Sequence, residues 1–315
     1  SQIQESISVV VPLRNEANNV GELVASLRDQ ENLTHVEFLL LDDNSEDDTL
    51  ALLQQHVSGL PNFQILSGTT LPQGWIGKTW ALQQLFDKSS GEIIVSVDAD
   101  VRLVPDAISK AVTLLKNAQL DFLSPYPKQL ALSWSEKLIQ PLLQWSWMST
   151  VILRVAEKSS LSSTVVANGQ FFVVRKAALD QVGGYDSVRN RVLDDVELAR
   201  SLVKNGSYGC VANGAAIAST RMYSSWAEIQ AGYGKSLHAA FGSVLGSAIA
   251  ITFVFLTGIA PLIAGITGSS IGWYAFAAVT LTRAMSAIKV GRSGLDAFLH
   301  PLSSALLIYL IIYSW

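Results

Sequence analysis

The 315-residue chain has a single cysteine, Cys210, which excludes an internal disulfide and fits a reducing compartment. Charge is scarce as well. Asp, Glu, Lys and Arg make up 15% of the residues, against about 25% in an average soluble domain, and the shortage is local. From Ala239 to Trp315 the only charged side chains are Arg283, Lys289, Arg292 and Asp296, and between Ala239 and Thr282 there is none. The first 238 residues are left with 19 basic and 25 acidic side chains, net −6. That is an ordinary acidic soluble domain without the basic patch a nucleic-acid surface needs, so no nucleic-acid partner is expected. The Gly-x-x-x-x-Gly-Lys-Ser/Thr spacing of a P-loop is absent. So is a Gly-rich signature at the first apolar run, which argues against nucleotidyl transfer. Ser1 to Ser6 is polar, and Ile7 to Val11 is too short for the apolar region of a secretory signal. Membrane insertion is therefore expected from the C-terminal part.

What is present first is an alternation of strand-like and helix-like segments. Ile7 to Val11, Val36 to Leu41, Phe63 to Leu66 and Ile93 to Val97 read as strands, with Pro12 stopping the first. Asn15 to Arg28, Asp47 to Val57, Thr79 to Asp87 and Pro105 to Asn117 carry helical spacing. Such alternation predicts an α/β domain on a mainly parallel sheet with right-handed crossovers. Trp134 to Lys158 is an apolar segment with three tryptophans and with its few charges at the ends. It suits an in-plane interfacial helix or a core helix of the domain equally. The uncharged C-terminal stretch predicts a hairpin, Phe241 to Ile266 out and Ile271 to Ile288 back, turning at the Gly265 to Gly272 segment. Ala297 to Trp315 follows as a third apolar segment. The division expected is 1–234 for the α/β domain, with 134–158 as the interfacial candidate, and 235–315 for about three transmembrane helices. Lys235, Lys289 and Arg292 flank the hairpin on one side, which places the domain in the cytoplasm by the positive-inside rule.

The chemistry-bearing residues sit at strand ends. Phe38 to Leu41 runs into Asp42-Asp43-Asn44-Ser45, and Glu92 to Val97 runs into Asp98-Ala99-Asp100. Carboxylates at the C-terminal ends of parallel strands lie where open α/β sheets bind ligands. One carboxylate of the first cluster can accept from a base or ribose, while Asp47 and Asp48 suit the start of the next helix. Asp98 and Asp100 alternate in an extended reading and would point the same way, as oxygen ligands for a divalent cation. Pro12-Leu13-Arg14-Asn15-Glu16 closes the first strand and opens a helix, where free N–H groups and Arg14 suit a phosphate, although a turn with Asn15 as N-cap explains it too. Gly74-Trp75-Ile76-Gly77-Lys78-Thr79 opens another helix and suggests diphosphate contact, or a surface loop with Trp75 packed down. Asn168-Gly169 and Val182-Gly183-Gly184-Tyr185 read as turns. Asp194-Asp195 opens a helix, where two adjacent acids can raise one pKa towards that of a useful base, or simply cap the helix.

Taken in order, these motifs resemble the family 2 glycosyltransferases of the GT-A fold over roughly residues 7–234. Leu71 to Trp80 together with the C-terminal apolar segments is most similar to bacterial lipid and carotenoid or hopanoid glycosyltransferases and, more distantly, to ceramide glucosyltransferases. The resemblance implies a Rossmann-like catalytic domain followed by transmembrane helices in a bacterial-type inner membrane. It implies inverting transfer of one sugar from a nucleotide-sugar, a UDP-sugar such as UDP-glucose, to a hydroxyl of a membrane lipid, with Mg2+ or Mn2+. Pro12, Arg14 and Glu16 would line the nucleotide. Asp43 or Asp42 would read uracil or ribose. Asp98 and Asp100 would hold the metal, with Asp100 the direct ligand, and Gly77 and Lys78 would meet the diphosphate. Asp195 would be the base, and Asp194 stands where the family usually has glutamate. Membrane members often carry Gln-x-x-Arg-Trp; here Met222 to Trp226 keeps only Trp226. The missing arginine leaves Arg221, Lys235 or Lys78 to meet the leaving diphosphate, and it favours single-sugar addition over a processive polysaccharide synthase. A nucleotide-binding membrane protein without catalysis is the remaining alternative.

Overall fold

A computed structural model describes residues 2–150, 167–289 and 291–315. The chain divides into two compact units, Ser1–Lys128 with Leu153–Thr220, and Gln129–Ile152 with Arg221–Trp315.

In the first unit the strands are β1 (Ile3–Leu13), β2 (Leu33–Asp42), β3 (Phe63–Ser67), β4 (Ile93–Val97), β5 (Val101–Leu103), β6 (Phe122–Tyr126), β7 (Lys128–Gln129, at its boundary), β8 (Phe171–Arg175), β9 (Gly209–Asn213) and β10 (Ala218–Thr220). Seven form one sheet in the order β3-β2-β1-β4-β8-β6-β9. Four of its six pairings are parallel. β8 breaks the pattern, running antiparallel to both β4 and β6. β5 pairs antiparallel with β10 in a separate small sheet. The expected mainly parallel α/β architecture is thus observed.

Period-two alternation decides which side each strand residue serves. Val9, Val11, Phe38, Leu40, Val95, Phe171 and Val173 face one layer of helices: α1 (Ala17–Arg28), α2 (Thr49–Val57) and α4 (Ala107–Asn117). Val10, Leu39, Leu41, Ile94, Phe172 and Val174 face the other: α3 (Gly77–Lys88), α6 (Lys176–Gln181) and α7 (Asp194–Lys204). Strands buried on both sides read as unbroken apolar runs, and burial of each such Val, Leu or Ile contributes about 1.5–3 kcal/mol.

Two sequence expectations change. Pro12 does not stop β1, which runs on to Leu13. β1 pairs with β4 only from Ile7 to Val10, so at Pro12 that flank is an edge, where a missing N–H is tolerated. Asn15 is not an N-cap. It lies at φ 56°, and its side chain accepts from the Glu46 N–H at 2.8 Å. Asp47 serves the helix starts instead, accepting from the N–H of Ala17 at 3.2 Å and of Thr49 at 3.0 Å.

The second unit holds α5 (Trp134–Thr150), α8 (Trp226–Phe241), α9 (Val244–Gly258), α10 (Ala260–Ile266), α11 (Ser270–Lys289) and α12 (His300–Tyr313). Residues 151–158 of the expected interfacial segment lie outside the described residues. Ile139, Leu142, Trp145, Ile229, Leu237, Leu307, Leu310 and Ile311 form this unit's core. Glu136 is fully buried there and takes both Nε (2.9 Å) and Nη2 (3.2 Å) of Arg221. Burial alone would raise the Glu136 carboxyl, but Arg221 and Ser133 hold it down at about 2. Two stretches, Val244–Ile266 and Leu295–Tyr313, are long and apolar enough to cross a membrane, with 11% and 39% of their apolar windows buried. The return segment expected at Ile271 to Ile288 is helical but fails the same test of length and composition among the described residues, and Arg283 lies buried within it.

Candidate functional site

Strand ends and helix starts of the first unit converge on a cleft of about 350 Å³. Pro12, Arg14, Glu16, Asp43, Gly77, Lys78, Asp98 and Asp100 all line it, with Leu13, Ala81 and Ala99. These come from the ends of β1, β2 and β4 and the first turns of α3, the edge at which parallel strands of open sheets present ligand groups.

Of the two acids ending β2, Asp43 faces the cleft and Asp42 does not. Asp42 is buried, and its Oδ1 has no hydrogen-bond partner. Burial raises the Asp43 carboxyl, partly opposed by Arg14, whose Nη1 stands 3.9 Å from Asp43 Oδ2. Gly77 leaves this corner open: a Cβ there would sit 3.4 Å from Asp43 Oδ2. The first turn of α3 is tied down by one acceptor, the Arg189 carbonyl, which receives the Ile76 N–H at 2.8 Å and the Thr79 hydroxyl at 2.8 Å. Trp75 packs edge-on against Trp80 at 5.1 Å.

Lys78 is the cation at the centre. Its Nζ reaches both oxygens of Asp98, at 2.8 and 3.0 Å. Partial desolvation in the cleft opposes its charge, yet Asp98, Asp194 and Asp195 together raise its pKa above that of an ordinary lysine. Asp98-Ala99-Asp100 is not extended as alternation implied. It is a turn closed by the Val101 N–H on the Asp98 carbonyl at 3.1 Å, and the turn brings both acids to the cleft. Asp100 accepts from Thr220 Oγ1 at 2.8 Å. Burial and then the charge of Asp98 raise its carboxyl. Glu16 is likewise raised by burial and by Asp100 and Asp98, against a hydrogen bond from Asn19.

Asp194 and Asp195 open α7. Asp195 is oriented by two backbone donors, Gly169 N–H to Oδ2 at 2.7 Å and Val196 N–H to Oδ1 at 2.8 Å. Burial raises both carboxyls, with Lys78 opposing, and Asp195 adds repulsion on Asp194. Asp194 is the first residue of the helix, and Leu193 occupies the cap position with no side-chain bond, so Asp194 is not the helix cap. Trp226 belongs to the second unit, at the start of α8, with its ring 6.0 Å from Tyr309.

Three participants escaped the sequence reading. Gly169 carries only a turn signal in the sequence, and its N–H holds Asp195. Thr220 carries no motif signal, and its hydroxyl holds Asp100. Tyr185 sits 3% exposed and bonds Ser96, with its pKa raised by burial and by Asp194. The Gly183-Gly184 turn before Tyr185, with φ values of 78° and 66°, was the available hint.

For a divalent cation, Asp98 and Asp100 supply two hard oxygen groups. Among the described residues no group of three or more His, Cys, Asp or Glu side chains converges to hold a metal. A cation here would complete its shell with substrate phosphates and water, as Mg2+ commonly does. Such a cation would offset both the burial of the Asp100 carboxylate and the neighbouring charge of Asp98 that raise it, so the residues fit the group.

The chain is 27% identical over 195 residues to the beta-monoglucosyldiacylglycerol synthase of Trichormus variabilis, covering 61% of this chain and 40% of that protein. It is 29% identical over 112 residues to the undecaprenyl-phosphate 4-deoxy-4-formamido-L-arabinose transferase of Pseudomonas savastanoi, covering 34% and 32%. The chain thus spans well under half the length of these relatives. A mannosyltransferase from Pyrobaculum calidifontis, solved with GDP-Man and Mn2+, superposes with a TM-score of 0.60 at 16% identity over 99% of this chain and 85% of that one. The fold is therefore of the GT-A type. Residues 8–183, more than half of the chain, match the family described as Glycosyl transferase family 2, and the chain belongs to that family.

Proposed function

We propose that the protein transfers a single sugar from a nucleotide-sugar, a UDP-hexose such as UDP-glucose, to a hydroxyl of a membrane lipid, with inversion. The observation that carries this reading is the single cleft lined by Arg14, Glu16, Asp43, Gly77, Lys78, Asp98 and Asp100, with Asp194 and Asp195 close enough to act on Lys78. The nucleoside sits between Asp43 and Pro12, and the diphosphate meets Arg14 and Lys78. Of Arg221, Lys235 and Lys78, Arg221 is engaged with Glu136 and Lys78 alone is among the residues lining the cleft, which favours Lys78 as the cation for the departing diphosphate in place of the missing arginine. Asp98 and Asp100 would hold Mg2+ or Mn2+, which when bound supplies charge neutralisation for the leaving group.

Asp195 takes the proton of the acceptor hydroxyl as its oxygen attacks the anomeric carbon and the bond to the diphosphate breaks. Its two backbone hydrogen bonds fix the carboxylate orientation, and its raised pKa suits a base working near neutral pH. The lipid acceptor is supported by the relatives acting on diacylglycerol-type and undecaprenyl-phosphate acceptors that their names state, and by the apolar stretches of the second unit. The domain faces the cytoplasm of a bacterial-type inner membrane in this reading, where soluble nucleotide-sugars are supplied.

The test uses detergent-solubilised protein, UDP-glucose and Mn2+ or Mg2+, with and without bacterial lipid extract. UDP release and labelled lipid should both depend on lipid and metal. Asp195→Asn should lower turnover by about 10²–10⁴-fold with donor affinity kept. An equal loss of donor affinity would remove Asp195 from the role of base. Transfer from GDP-mannose alone would replace the donor.

A further inference from the structure

Lys78 stands in an unusual position for a residue that is to meet a diphosphate. Its ammonium already rests on both oxygens of Asp98, at 2.8 and 3.0 Å. A magnesium ion needs a carboxylate oxygen at about 2.0–2.1 Å, and it cannot share that face of Asp98 with an ammonium in contact with both oxygens. The two cations repel as well. The Lys78 backbone is fixed, because Ile76 and Thr79 on either side are bonded to the Arg189 carbonyl. Its side chain is 39% exposed at the cleft, however, and its flexible stem allows the ammonium to swing. The other cleft cation, Arg14, lies beside Asp43 and leaves Asp98 to Lys78.

From this geometry we propose that Lys78 is a resident counter-ion that keeps Asp98 closed to a divalent cation until a nucleoside diphosphate draws the ammonium away. Cation and nucleotide would then enter together, rather than cation first. The proposal rests on the glycosyl-transfer reading of the cleft and adds an order of binding to it. It makes the apo site a poor metal trap: Asp98 is neutralised when no donor is present, and the same lysine is handed to the diphosphate when one arrives.

The experiment measures Mn2+ uptake by the full chain in detergent, from the electron paramagnetic resonance signal of free Mn2+, without nucleotide and then with UDP or GDP. Wild type should bind Mn2+ weakly alone and roughly tenfold or more tightly with a nucleoside diphosphate. Lys78→Met should bind Mn2+ without nucleotide roughly tenfold tighter than wild type, since removing one adjacent positive charge at a partly exposed site is worth about that much. It should also gain less from added nucleotide. Lys78→Arg keeps the charge and should follow wild type, and thermal melts of both variants establish that they fold. Equal Mn2+ affinity of Lys78→Met and wild type without nucleotide would overturn the counter-ion role while leaving glycosyl transfer standing. Absence of Mn2+ uptake by every variant, with or without nucleotide, would overturn the counter-ion role together with the metal-assisted form of the transfer.

Discussion

At the scale of single residues, the site is a place where charge is held against its own interest. Asp194, Asp195, Asp98, Asp100 and Glu16 gather near one lysine, and the carboxyls of Glu16, Asp100, Asp194 and Asp195 are raised, first by burial. For a carboxyl raised in the folded state, the protonated form is favoured by folding. Stability is then greatest at low pH and is lost as pH rises from the unfolded pKa through the folded one. Asp194→Asn should therefore raise the melting temperature at pH 7.5, by roughly a few °C, with the gain shrinking as pH falls from about 6 towards 3.8. Paired melts of the variant and wild type across pH 4–8 check this, and a gain that is constant with pH would contradict the assignment. Asp195 differs, because two backbone N–H groups depend on its oxygens. The types of these acids were legible in the sequence. What was not legible was which of Asp42 and Asp43 faces the cleft, since a strand end can twist either carboxylate inwards. Nor could Thr220 be found, because a hydroxyl that bonds Asp100 from a strand more than a hundred residues away leaves no local pattern.

At the scale of elements, the site depends on short turns rather than on the helices and strands they join. The Asn168-Gly169 turn enters β8 and presents its N–H to Asp195. A Cβ at Gly169 would lie 3.1 Å from the Asp195 Cβ, tighter than ordinary contact, so Gly169→Ala should push the carboxylate aside. The expected result is a drop in kcat of roughly tenfold to a hundredfold, with KM for the donor and the melting temperature little changed. Steady-state kinetics beside a thermal melt would reveal it, and a collapse of the fold would place Gly169 among structural residues instead. Helices and parallel strands were readable because apolar spacing repeats along them: Val20, Leu23, Val24 and Leu27 mark α1, and Ile93 to Val97 marks β4. The Asp98 to Asp100 turn was misread as extended because two acids separated by one small residue look alike in a strand and in a tight turn. The antiparallel direction of β8 was hidden for a related reason. A strand buried on both faces shows the same apolar run whichever way it points.

At the scale of the whole molecule, two kinds of surface follow from one composition. The first unit carries the charge, and the second exposes Val244, Leu245, Ile249, Phe253, Leu256, Ile263 and Ile266 along one stretch. An exposed apolar band of this length exceeds what a soluble surface ordinarily tolerates and matches the ~30 Å of a hydrocarbon core. Purified protein should stay monodisperse in detergent micelles or nanodiscs and aggregate on detergent removal, as size-exclusion chromatography would show. Replacing Leu245, Ile249, Leu256 and Ile263 with serine should reduce partition into vesicles. Persistence of a monodisperse species without detergent would count against membrane insertion. The absence of charge made these stretches visible in the sequence. The burial of Arg283 in α11 did not follow from it, because flanking charge and span length say nothing about which face of a helix a neighbour covers.

The place of β8 in the sheet also bears on how the chain is born. Its neighbours β4 and β6 both leave the ribosome well before it; β4, already beside β1, waits with one edge unpaired, and β6 waits with both, because its other partner β9 is made later still. Unpaired inner edges are sticky, and incomplete sheets are where large proteins aggregate. A chain broken at Lys128 would carry every acid lining the cleft but neither Asp194 nor Asp195, and would leave one edge of β4 and both edges of β6 open. Co-expressed halves should therefore assemble poorly unless they meet during synthesis.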